Sequence, residues 1–137
     1  MTLDHGAIAH LDLSVSDVAR SARWYERVLG MRELRRVEFP NRTMVVLHHA
    51  PSGLVIGLNQ HRDQPDGPFD ERRIGLDHVG FAVAHREELD AWQARLRKLN
   101  VEHSPIGEVE AGAALVFRDP DNIQLEFWWP RPIPSAP

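Results

Sequence analysis

IAHLDLSV at residues 8–15 and LDHVGFAV at residues 76–83 are one pattern written twice, and that repetition decides the fold. His10 stands opposite His78, and the same offset sets Trp24 on Trp92, Val28 on Leu96 and Met31 on Leu99. Further on, LHHAPSGLVIGL (47–58) falls on VFRDPDNIQLEF (116–127) once a single residue is inserted. Pro51 then matches Pro120, Leu54 matches Ile123, and Gly57 stands opposite Glu126. One long repeat in a chain of 137 residues means two similar modules. A solenoid would need shorter and more numerous units.

Each module opens on strict alternation. Leu11, Leu13 and Val15 point one way while His10, Asp12 and Ser14 point the other. In the second module Val79, Phe81 and Val83 form the apolar face, and His78, Gly80 and Ala82 lie opposite. A helix follows in each. In the first, Ser16 or Asp17 is the cap, Val18, Ala22, Tyr25 and Leu29 recur at helical spacing, and Gly30 is the stop. In the second, Leu89, Trp92, Leu96 and Leu99 form the buried stripe and Asn100 ends it. Strands dominate the rest of each module, with hairpin turns at Ala50-Pro51-Ser52-Gly53 and Asp119-Pro120-Asp121-Asn122. The reading is an α+β fold of two tandem βαβββ modules, residues 5–59 and 75–129, within a single domain spanning 1–137. Helices cover one face of strongly curved sheets. Residues 60–74, polar and rich in Pro and Gly, form the linker, and 130–137 is a Pro-rich tail.

Composition removes whole classes of function. Apolar residues are 42% and charged residues 26%, values of an ordinary globular chain. The formal net charge is −4 with no basic run, so the electrostatic footprint of a nucleic-acid binder is missing. No apolar stretch approaches the ~20 residues of a membrane span, and the N-terminus has no signal-peptide core. Cysteine is absent, which excludes disulfides, thiolate metal sites and a cysteine nucleophile, and fits a cytoplasmic protein. Eight histidines are the compositional oddity.

Alternation places those histidines. On the last strand of module two, Leu125 and Phe127 take the helix-covered face, so Gln124, Glu126 and Trp128 share the open face with His10 and His78. Two imidazoles and one carboxylate converging in one cleft form a 2-His-1-carboxylate set that leaves coordination positions free. Glutamate within QLEFWW is costly to bury unless paired or coordinated. The bland alternative is that shared ancestry of the modules preserved the two histidines without a role. Glu126 is also a candidate catalytic group. Asp12, two residues along the strand from His10, is a candidate base or support for that histidine. Trp128, His48 and Gln124 are candidates for substrate contact, Trp128 by stacking. Gly57, equivalent to Glu126, carries no side chain, so one ligand of a fully symmetric site is missing.

The stretches HLDLSVSDVARSARWYERVLGM (10–31), LDHVGFAV (76–83) and FRDPDNIQLEFW (117–128) resemble the vicinal oxygen chelate superfamily, which includes glyoxalase I, bleomycin-resistance proteins and extradiol dioxygenases. The resemblance implies a cup-shaped mixed β-sheet of the glyoxalase/bleomycin resistance/dioxygenase fold. It implies metal ligands at His10, His78 and Glu126, and one divalent ion: Fe(II), Mn(II), Ni(II) or Zn(II). It further implies a small-molecule substrate chelated through neighbouring oxygens, in a lyase- or isomerase-like or a dioxygenase-like reaction. A homodimer is implied too, with modules paired within a chain or exchanged between chains. The fourth ligand of glyoxalase I would fall on Gly57, and the extra tyrosine of extradiol enzymes has only Tyr25 to match it. The alternative, from the bleomycin-resistance branch, is a protein that sequesters a drug or natural product in the same cleft.

Overall fold

Alternation gives each module a short first strand before helical spacing takes over. A computed structural model describes residues 1–134. The first half runs β1 (Leu11–Ser14), α1 (Val18–Leu29), β2 (Arg32–Phe39), β3 (Arg42–His49) and β4 (Leu54–His61). The second runs β5 (Val79–Ala82), α2 (Glu88–Lys98), β6 (Gly107–Val109), β7 (Gly112–Arg118) and β8 (Gln124–Pro130). The βαβββ order is present twice, in two units that divide at Gly67 and Pro68.

In the first unit the sheet order is β1-β4-β3-β2, with β1 and β4 parallel and the other pairs antiparallel. Of the two possible caps Asp17 is the one used. Its carboxylate accepts from the Arg20 N–H at 2.9 Å, satisfying a donor that the first helical turn leaves orphaned. Gly30 ends the helix with φ 69°, a left-handed conformation that costs glycine nothing. Val18, Ala22, Tyr25, Val28 and Leu29 of α1, with Val45, Leu47, Ile56 and Leu58 of the strands, form the buried core. Trp24, matched to the core by the repeat, is half-buried instead and lies edge-on to the fully buried Tyr25. It sits one position off the 18-22-25-29 stripe, about 100° around the helix from Tyr25.

In the second unit the order is β5-β8-β7-β6, again with first and last strands parallel. Its core is built from rings. Phe127 lies between Trp92, stacked at 4.0 Å, and Phe117, stacked at 5.0 Å. Leu89 and Leu96 are buried beneath α2, whereas Leu99 falls just past the helix end and is half-buried. The buried Asp119 carboxylate accepts from the Asp121 and Ile123 N–H groups and fixes the β7–β8 turn, in which Asn122 takes φ 67°.

Two element boundaries differ from the sequence reading. β4 continues to His61, into the stretch read as linker, and the chain from Pro68 onward belongs to the second unit. There the Phe69 N–H donates to the Asp121 carbonyl, and the Asn122 side-chain amide donates to the Phe69 carbonyl. Past His61 the polar, Pro- and Gly-rich stretch to residue 74 holds no helix or strand, but its composition does not reveal side-chain anchors. β8 also runs on to Pro130, the first residue of the expected tail, because a proline at a strand end is not asked to donate. Arg131 then donates its N–H to the Ala111 carbonyl. The last three residues of the tail, 135–137, lie outside the described residues. Among the described residues no helix is long and apolar enough to cross a membrane.

Candidate metal centre

Cross-strand partners face the same side of a sheet, so each register row places its members on one face. In the second unit Leu125 and Phe127 are buried toward α2. Gly80 and Glu126 are partners on the opposite, open face, as are Ala82 and Trp128. His78 stands one residue ahead of β5, outside the ladder. Its Nε2 lies 3.4 Å from Glu126 Oε1, and its Nδ1 donates to Asp77 Oδ1 at 2.6 Å. The bond to Asp77 orients the imidazole so that Nε2 is the nitrogen that faces the glutamate. The Asp77 hydrogen bond is also the main reason that the His78 imidazole is held above its ordinary pKa, with the Glu126 charge adding to it. Glu126 keeps only 16% of its side chain exposed, so its charge is poorly hydrated where it stands.

The pair fits a divalent ion. Bonds of about 2.0–2.2 Å from one imidazole nitrogen and one carboxylate oxygen to the same cation leave those donors roughly 3 Å apart. The backing carboxylate on the far imidazole nitrogen is the support such a ligand needs. Asp77 was missed in the sequence reading, and the Asp77-His78 dipeptide was its only signal. Residue 9, before His10, is alanine.

In the first unit His10 precedes β1 and is exposed, the same offset from its strand as His78. Asp12 and the buried Gly57 are register partners. The Asp12 carboxylate lies over Gly57, so a Cβ added there would come within 2.7 Å of Asp12 Cγ. Asn59, itself buried, donates to Asp12 Oδ2 at 3.2 Å and accepts from Arg42 Nε at 3.0 Å. His48 is half-buried, in register with Val55 and Arg32. Among the described residues no three His, Asp or Glu groups are arranged so as to hold a metal ion. The sequence-predicted trio is thus represented by two members in contact, His78 and Glu126, with His10 held by the other unit.

The remaining candidates have defined neighbours. Gln124 accepts from Arg118 Nη2 at 2.8 Å. The same guanidinium grips both Glu71 oxygens, at 2.9 and 3.1 Å, and thereby pulls the Glu71 carboxyl down to about 2. Trp128 is half-buried, and its cross-strand partners are the small residues Ala82 and Ala114. His103 is half-buried and bridges to Phe117.

A doubled βαβββ unit, with a backed histidine just ahead of one strand and a glutamate on its parallel neighbour, defines a class before it defines an individual. Residues 7–127 match the Glyoxalase/Bleomycin resistance protein/Dioxygenase superfamily, and the chain belongs to it. Within that superfamily it is 27% identical to the metallothiol transferase FosB of Staphylococcus saprophyticus, over 88% of this chain and 75% of that one. A glyoxylase/bleomycin resistance protein/dioxygenase domain from Frankia sp. EAN1pec superposes with a TM-score of 0.86 at 36% identity, covering 93% of this chain and all of that one. FosX, a fosfomycin resistance protein of Listeria monocytogenes, shares the fold with a TM-score of 0.73 at 20% identity, over 93% and 96% of the two chains. A FosX variant has been solved with Mn(II) and 1S,2S-dihydroxypropylphosphonic acid.

Proposed function

We propose that the protein is a metal-dependent enzyme acting on a small molecule, with His10, His78 and Glu126 as ligands to one divalent ion. The observation that carries this reading is the His78–Glu126 contact with Asp77 behind the imidazole. The Mn(II)-bound FosX structure and the metallothiol transferase relative support it. When bound, such an ion supplies Lewis acidity toward two neighbouring substrate oxygens and favours negative charge developing on one of them.

The chain's own groups supply the rest. Asp77 accepts from Nδ1, which would leave Nε2 as the nitrogen offered to the ion. Glu126 brings an anionic oxygen that offsets part of the cation's charge, and its second oxygen is available to hold a proton. Trp128, beside Ala82 and Ala114, offers a ring face for substrate, with Gln124 and His48 as polar contacts. His10 enters through pairing of modules, within one chain or exchanged between two copies of a homodimer. Of the two reaction branches we infer the non-oxidative one, an addition, elimination or isomerisation through an oxyanion. The chain's single tyrosine, Tyr25, is completely buried under α1 and presents no hydroxyl to a substrate.

Sequestration of an apolar ligand on Trp128 is the second reading, favoured by the small residues that flank that ring. Metal analysis of protein purified without a nickel column separates the two. The enzyme reading expects close to one transition metal per site, lost in His78→Ala. Ligand affinity indifferent both to chelator and to that substitution would overturn it in favour of sequestration.

A further inference from the structure

The Arg118 guanidinium and the Glu71 carboxylate meet as a two-pronged pair, Nη1 on Oε2 at 3.1 Å and Nη2 on Oε1 at 2.9 Å. The guanidinium does not depend on Glu71 for its aim. Nη1 also donates to the Asn122 carbonyl at 3.1 Å and Nη2 to Gln124 Oε1 at 2.8 Å, and both acceptors belong to the β7–β8 hairpin. Glu71 has no such support. It stands after Phe69 in a stretch without helix or strand, and among the described residues no backbone hydrogen bond joins 70–74 to a strand. The pair leaves 34% of the Arg118 side chain and 30% of the Glu71 side chain exposed, and an ion pair so open to water is held weakly.

A cleft of about 520 Å³ lies beside this fork, wholly within the second unit, and Arg118 is part of its wall. Val101, Val116 and Phe117 give the cleft an apolar side, and Arg97 adds a second guanidinium against the carboxylate of Glu102. The volume is that of a site for a small organic molecule. Val116 is the cross-strand partner of Glu126, so the cleft borders the row that carries this candidate ligand.

We propose that Arg118 recognises the carboxylate of a small organic acid whose apolar body lies in the cleft, and that Glu71 is the internal carboxylate which this acid replaces. The geometry selects a carboxylate, because two coplanar oxygens already sit on the two Nη nitrogens. Asn122 and Gln124 keep the fork in place after Glu71 leaves, so the incoming acid meets a site already oriented. Residues 70–74 are released in step with binding. As an anchor for the substrate the site rests on the metal-enzyme reading given above; as a binding site it needs no ion.

The probe is 3-phenylpropionate, with the neutral 3-phenylpropionamide as its control, titrated into the full chain by calorimetry in the presence of a chelator. The acid is expected to bind, and the amide to bind at least about tenfold more weakly. Glu71→Gln keeps the shape of the side chain, removes the competing charge, and is expected to bind the acid at least about tenfold more tightly than the parent. Arg118→Lys keeps a charge without the fork and is expected to bind it at least about tenfold more weakly. In the parent, saturating acid should speed hydrogen exchange at residues 70–74, and the amide should not. Equal affinity for acid and amide, no gain of affinity in Glu71→Gln, or exchange at 70–74 indifferent to the acid overturns the proposal. His78→Ala tells the two readings apart. If it keeps its metal, the enzyme reading falls and the carboxylate site stands. If it loses the acid even with chelator present, the carboxylate site falls.

Discussion

The two units share a topology and differ in what each spends its side chains on. The first has the better-made helix, with Asp17 capping and Gly30 stopping α1, and an aliphatic core of valine, leucine and isoleucine around Tyr25. The second has a helix whose N-cap, Glu87, makes no side-chain cap bond, and it packs its sheet through the stacked rings of Trp92, Phe117 and Phe127. It also holds the contact between candidate ligands and the aspartate that backs it. The contacting pair thus lies in the second unit, while the matching histidine of the first, His10, stands just ahead of β1.

The sharpest way to break this comparison is at the ligands. His78→Ala should abolish stoichiometric metal and Asp77→Asn should weaken it, by about 10–100-fold, in elemental analysis and Mn(II) titration. If Asp77→Asn leaves affinity untouched, the second unit has no special claim to the site. Next come the matched core positions, Phe127 and Leu58. Phe127→Ala should cost about 3–5 kcal/mol and Leu58→Ala about 2–5 kcal/mol in chemical denaturation. A smaller loss at Phe127 than at Leu58 would show that the ring stack adds little beyond area.

The helices give a subtler contrast. Asp17→Ala should destabilise by about 1 kcal/mol, while Glu87→Ala, which removes no cap bond, should fall within about 0.5 kcal/mol of the parent. The smallest effect concerns the segment docked on the second unit by Glu71 and Arg118. The Glu71 carboxyl is held at about 2, below its ordinary 4.5. A depressed folded-state pKa contributes stability that is fully present above the unfolded value and is lost as pH falls through the folded one. Hydrogen exchange at residues 68–74 should therefore accelerate as pH drops from about 4.5 toward 2, after correction for intrinsic rates. Glu71→Gln should remove that dependence.

Much of this was legible in the sequence because period and position carry it. Alternation assigned faces on β1, β5 and β8, the repeat set His10 on His78 and Gly57 on Glu126, and turn residues marked both hairpins. The registers Asp12–Gly57 and Gly80–Glu126 agree with that alignment. What stayed hidden depends on side-chain reach across strands. Nothing in a linear pattern says that Asp12 fills the space above Gly57, that Asn59 turns inward to hold it, or that Glu71 in a polar stretch closes on Arg118. Nor does strand alternation show that both histidines stand just outside their ladders, because ladder ends are set by pairing partners rather than by residue type.

The parallel pairing of β1 with β4, and of β5 with β8, has a kinetic corollary. Each pair joins strands from opposite ends of its module, so it closes only after the intervening antiparallel hairpins have shortened the loop between them. The β3–β4 and β7–β8 hairpins are then the expected folding nuclei, and the rows that carry Asp12 and Glu126 are completed last. Mutations on β1 and β5 should change unfolding rates far more than refolding rates. In each half the acidic row becomes a late checkpoint on correct assembly.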